Sequence, residues 1–148
     1  MEAEVYPDPR VGAFIARRFV PVRIHVKDQP TMWKRFEIRW TPTVLVLAPD
    51  GSEVRRVEGF LPKEELLGQL GLALGYLGVK RKDWTAARQE FDDVVQQYPD
   101  TSAGPEALYW SGVAKYSASH DASELRALGK QFKERYTDTA WAKRASIW

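Results

Sequence analysis

Four glycines, Gly68, Gly71, Gly75 and Gly78, recur three and four residues apart in a segment whose Leu66, Leu67, Leu70, Leu74 and Leu77 keep helical spacing. Each glycine costs a helix interior about 1 kcal/mol relative to alanine. A helix with four of them on one stripe therefore expects a second helix packed very close to it. Pro62 sets its start. A membrane reading of the small-residue spacing is weak, because Gln69 and charged flanks interrupt it. No stretch nears the ~18 apolar residues that a span needs.

Downstream the pattern stays helical. Asp83 is placed to cap a helix in which Trp84, Ala87, Phe91, Val94, Val95 and Tyr98 are periodic, and Pro99 stops it. A helix over 105–118 carries Leu108, Gly112, Val113 and Tyr116. Asp121 and Glu124 have the spacing of a capping box for a fourth, with Leu125, Leu128, Phe132 and Tyr136 inside. A short last helix carries Trp141 and ends at Trp148. Tyr98-Pro99-Asp100-Thr101 returns 38 residues on as Tyr136-Thr137-Asp138-Thr139, each copy closing one helical hairpin and opening the next helix.

Upstream the periods are mixed. Residues 1–6 read as the tail of a helix. Asp8-Pro9 starts another, with Val11, Phe14, Ile15 and Phe19 on its buried face. Val20, Val22, Ile24 and Val26 then alternate, predicting a strand over 19–26. Pro30 opens a short helix with Met32, Trp33 and Phe36. After Arg39-Trp40-Thr41-Pro42-Thr43 comes Val44-Leu45-Val46-Leu47, an apolar run that suits a strand covered on both faces. Pro49-Asp50-Gly51 is a turn, and Ser52 to Glu58 the returning strand of a hairpin that Gly59 ends.

Composition removes several functions. Of 148 residues none is cysteine, which excludes disulfides, thiolate metal sites and cysteine nucleophiles in this chain. The two histidines, His25 and His120, are far apart and lack a second histidine at helical ligand spacing, so neither metal nor cofactor is expected. A net charge of +2 does not argue for nucleic acid, and runs such as Arg55-Arg56-Val57-Glu58 and Lys80-Arg81-Lys82-Asp83 read as solvated faces. Asp92 and Asp93 are adjacent on a helix and read as surface. Trp33, Phe36, Trp84, Trp110 and Trp141 read as core. Trp148 either packs backward on the helix of Trp141 or marks an array that continues.

The order helix, strand, short helix, Thr41-Pro42-Thr43, strand, Asp50-Gly51 turn, strand, Gly59-Phe60-Leu61-Pro62 and helix resembles a thioredoxin-like domain over about residues 1–77. Residues 1–6 running into Asp8-Pro9-Arg10-Val11 resemble the segment behind the redox motif in the branch related to bacterial disulfide reductases. Residues 68–100 resemble tetratricopeptide repeats at Gly75, Ala87, Phe91 and Pro99, with Leu125 replacing the small residue in a degenerate next copy. The expected architecture is thus an α/β thioredoxin-like domain, missing its first strand, over 1–78, then all-α tetratricopeptide-like hairpins over 79–148, with the helix 62–78 shared.

The resemblance implies thiol–disulfide exchange through a Cys-x-x-Cys that this chain lacks, so the chain as given is expected to be redox-inactive, with no catalytic residue. In the family fold the missing strand is central, between those matching 20–26 and 43–48. The expectation is an incomplete chain begun at an internal methionine; the alternatives are a rearranged sheet or a homodimer that supplies the edge. The resemblance also implies a cis Thr41–Pro42 bond and a peptide groove beside Pro42 to which Thr41 supplies the pairing backbone. Trp40, which departs from the small residue expected there, is either an apolar platform completing that groove or a cover for the sheet edge. The expected partner is a protein or peptide rather than nucleic acid or membrane. The alternative to the redox lineage is a non-catalytic interaction module using that groove and the helical repeats. The chain as given would be cytoplasmic; behind a signal segment it would be periplasmic or secreted.

Overall fold

A computed structural model describes Met1 and residues 3–148; Glu2, within the 1–6 segment, lies outside the described residues. In chain order they form α1 (Pro9–Arg18), α2 (Pro30–Arg35), β1 (Thr43–Leu47), β2 (Glu53–Glu58), α3 (Lys63–Lys80), α4 (Trp84–Gln97), α5 (Ala103–Ser119), α6 (Ser123–Arg135) and α7 (Ala140–Ala145).

Helix α3 is the axis. Its buried residues run from Leu66 through Ala73 without a gap and then include Gly75 and Gly78, so it is enclosed on nearly every side. Leu66, Leu67, Leu70 and Ala73 join Val5, Val11 and Val46 in one core, flanked by Phe14, Ile15 and Val44. Leu72 joins Ala87, Phe91, Val94, Ala103 and Ala107 in a second. The glycine stripe is where α4 lies. A Cβ on Gly71 would stand 2.5 Å from Val94, one on Gly78 2.7 Å from the backbone nitrogen of Ala87, and one on Gly75 inside the Phe91 ring. Small against large, the two helices run antiparallel in close contact.

The second hairpin repeats this arrangement. Gly112 of α5 receives Leu128 of α6, as Gly75 receives Phe91. The repeated turns share a geometry as well. The Thr101 hydroxyl donates to the Tyr98 carbonyl at 2.7 Å, and Thr139 donates to Tyr136 at 2.9 Å. The Tyr136 hydroxyl donates to the Pro99 carbonyl at 2.8 Å and so joins the two turns. Trp148 packs back into the third core with Leu108, Phe132 and Ala145, its ring stacked on Tyr109 at 5.4 Å.

Four expectations need correction. Residues 19–26 are extended but form no strand. Neither Val20 nor Val22 makes a backbone hydrogen bond among the described residues, and they are 91% and 76% exposed. Alternation marks a strand only when a neighbouring strand pairs with it, and among the described residues no strand pairs with Val20 or Val22. The expected strand over the apolar run is β1, but only Val46 on it is buried and Leu47 is exposed, because among the described residues the sheet has just two antiparallel strands. Helix α5 starts at Ala103, not at 105, with the Glu65 carboxylate accepting from the Ser102 N–H at 3.0 Å. The capping box does not close. Asp121 accepts from the Ser123 N–H at 2.8 Å, while its own N–H donates to the Ser119 hydroxyl, and α6 begins at Ser123.

Helix α1 is capped by Asp8, which accepts from the Arg10 N–H at 2.9 Å, with Val11 fully buried. At the hairpin turn Gly51 has φ +80°, which its lack of a Cβ permits, and its N–H donates to the Ala48 carbonyl at 2.8 Å. One side chain fastens the hairpin to the helices. Arg55 of β2 donates to both carboxylate oxygens of Glu106 on α5, at 2.8 and 3.0 Å, and to Gln69 on α3. Tyr76 donates to the same Glu106 carboxylate. Arg55 is thus mostly buried rather than part of a solvated charge run.

Candidate peptide groove

The loop between α2 and β1 is pinned at three points. The Phe36 carbonyl accepts from Arg56 of β2 at 2.7 Å, and the Ile38 N–H donates to the Trp33 carbonyl at 3.0 Å. The Thr43 hydroxyl donates to the Trp40 carbonyl at 2.6 Å. Arg56 is itself oriented by a two-pronged pair with Glu53, whose carboxyl is held below the usual carboxylate range first by that hydrogen bond. Two local bonds and one from the neighbouring strand therefore fix the path of residues 36–43.

Into this frame the structure places all three expected groove residues together. The Thr41–Pro42 peptide bond is cis. The Pro42 carbonyl accepts from the Gly59 N–H at 2.8 Å, one step beyond the Thr43–Glu58 pair that starts the β ladder. Thr41 and Phe60 are the next residues outward on the two sides of that bond. Trp40 is 67% exposed and Phe60 54%, two large apolar side chains in solvent at the same end of the hairpin. Thr41 is exposed, and its N–H and C=O have no hydrogen-bond partner among the described residues. Phe60 was not singled out as a site residue in the sequence, where it reads only as part of the stretch after Gly59. Its exposure depends on where the hairpin ends, which the pairing of Pro42 with Gly59 decides.

The chemistry open to this surface is recognition. Thr41 offers one donor and one acceptor to an extended backbone, and Trp40 and Phe60 offer apolar area beside it. The chain holds no cysteine. Among the described residues no three His, Cys, Asp or Glu side chains could hold a metal ion. His25 accepts from the Lys27 N–H at 3.3 Å, and His120 closes α5 in the left-handed conformation, φ +57°; both are exposed at turns. Asp92 binds Ser111, Lys115 and Arg88, and Asp93 binds Gln89, so this adjacent pair is engaged separately. No helix among the described residues is long and apolar enough to cross a membrane.

The sequence profile of the family described as "Thioredoxin-like domain" matches residues 1–73. The N-terminal part of the chain is therefore similar to a thioredoxin-like domain, and the match ends inside α3. No curated protein and no solved structure matches the chain.

Proposed function

From a thioredoxin-like domain without cysteine, we propose that the chain is a non-catalytic peptide-binding module of the thiol–disulfide oxidoreductase lineage. The observation that carries this reading is Thr41: its backbone donor and acceptor have no partner among the described residues and are exposed between Trp40 and Pro42, at the end of the hairpin where Phe60 is also exposed. An extended peptide pairs its main chain with Thr41 and lays an apolar side chain across Trp40 and Phe60. In this reading 79–148 is a tetratricopeptide-like region whose helical hairpins support and extend the binding surface, with α3 shared with the domain over 1–78. Two repeated glycine–large pairs, Gly75 with Phe91 and Gly112 with Leu128, and the repeated tyrosine–threonine turns support it.

The probe is the S-alkylated B chain of insulin, followed by NMR on the 148-residue chain. The amides of Thr41 and Phe60 should shift on titration, and Trp40→Ala should abolish the shifts while leaving the fold intact. Shifts confined to other regions, or unchanged by Trp40→Ala, would remove the groove. In a companion assay the chain should not accelerate reduction of insulin disulfides by dithiothreitol. A second copy is the competing occupant, because among the described residues β1 is hydrogen-bonded on one edge only. Sedimentation showing a dimer that the peptide dissociates would favour it.

A further inference from the structure

Between α6 and α7 lies an open cleft of about 370 Å3 whose floor is apolar and whose rim is cationic. Phe132 and Ala145 are buried beneath it and Trp148 is half-buried at its end. At Gly129 the C-terminal segment closes on α6 along one side of the cleft: a Cβ would stand 3.5 Å from both the Ala145 carbonyl oxygen and the Trp148 backbone. Ile147, next to the cleft in sequence, is 77% exposed.

The charges follow one helical face. Arg126, Lys130 and Lys133 stand at i, i+4 and i+7 on α6, and Lys143 faces them from α7. No acidic side chain lines the cleft. Elsewhere Arg18, Arg56, Lys63, Lys80, Arg88 and Lys115 each pair with a carboxylate. None of the four cleft cations does so among the described residues. Four unpaired cations around an apolar trough spanning about 10 Å of helix, roughly two turns, complement one kind of surface.

We propose that this cleft binds an acidic amphipathic helix of a partner protein. The partner's apolar side chains seat over Phe132 and Trp148, and its Asp and Glu residues pair with Arg126, Lys130, Lys133 and Lys143. The apolar floor supplies contact area, and the cationic rim selects acidic partners over neutral ones. The site is independent of the groove at Thr41.

The test is calorimetry with the 148-residue chain and a synthetic helix-forming peptide bearing Glu on one face and Leu and Phe on the other. Binding should weaken as salt rises. Lys130→Glu/Lys133→Glu should weaken it about tenfold or more, from two exposed ion pairs lost and reversed. Lys27→Glu/Lys34→Glu, with the same change in net charge away from the cleft, should stay within about twofold. All the substituted residues are exposed, and circular dichroism checks that each variant folds. Equal weakening by both double variants would reduce the effect to general charge attraction and overturn the site. So would undiminished binding of a peptide whose Leu and Phe are replaced by Ser, or no binding at all.

Discussion

The helical half and the N-terminal half bury their apolar residues to very different degrees. From α3 onward Leu66, Leu72, Ala87, Phe91, Val94, Ala107, Leu128 and Phe132 are all at or below 2% exposure. Before α3, only Val5, Val11, Val46 and Ala48 count among the buried apolar residues, while Val20, Val22 and Trp40 face solvent. A helix satisfies its own backbone and needs only a neighbour's side chains. A strand needs a neighbour's backbone too. Among the described residues the first half has two strands and the second has none, and most of the large exposed apolar side chains lie in the first.

The largest test of this contrast is Phe91→Ala. Phe91 is fully buried in the notch made by Gly75 and contacts the edge of Tyr76 at 5.6 Å. Its truncation leaves a cavity in the α3–α4 interface and should cost about 3–5 kcal/mol of stability in urea unfolding. A loss below about 1 kcal/mol, within the range for exposed positions, would mean that the interface repacks freely and that the helical half is no tighter than the sheet half.

The elements that the sequence shows well are those whose causes are local. Asp8-Pro9, Asp83 and Pro99 delimit helices through caps and breakers within a few residues, and Asp50-Gly51 makes the hairpin turn by itself. The glycine stripe also announces its partner, because a helix does not carry four glycines without a use for the space. Where the cause is distant, legibility stops. Residues 19–26 have the pattern of a strand and lack the neighbour. Arg55 looks like one of a charged run until Glu106, 51 residues on, takes both prongs of its guanidinium. The repeat was visible but out of step: the turns recur at 38 residues, whereas the notch of Gly75 and Phe91 recurs at 37 as Gly112 and Leu128. Of the candidate groove, Trp40, Thr41 and Pro42 were legible through the resemblance. Phe60 was not, since its place at the end of the hairpin depends on the Gly59–Pro42 hydrogen bond.

The seam between the halves gives a test of intermediate size, by pH. Burial, then the hydrogen bond and charge of Glu106, raise the Tyr76 phenol above its ordinary value of 10.0. Burial also raises Tyr98, which packs under the first core, and Tyr136 in the repeated turn. A phenol whose pKa is higher folded than unfolded favours the folded state while it stays neutral. That contribution is complete below pH about 10 and is lost as pH rises through the folded value. The urea midpoint should therefore be level from pH 7 to 9 and fall above pH about 10. The fall should be shallower in Tyr76→Phe, where nothing remains to ionise beside Glu106. Identical slopes for the two proteins would show that the seam does not carry the alkaline loss.

The smallest expected effect is the most direct check on the open half. Val22 is 76% exposed, makes no backbone hydrogen bond among the described residues and lies outside every buried cluster. If Val22 is as exposed in solution as here, Val22→Ser removes little from contact and should change stability by no more than about 0.5 kcal/mol. In a paired strand with its side chain packed, the same change would forfeit burial worth about 1.5–3 kcal/mol. The two cases differ several-fold, well beyond the error of a urea midpoint. A loss near the larger value, growing with protein concentration, would mean that a second copy covers these valines in solution. Loss of that size at every concentration would mean that the segment is packed within the monomer, and the contrast between the halves would disappear.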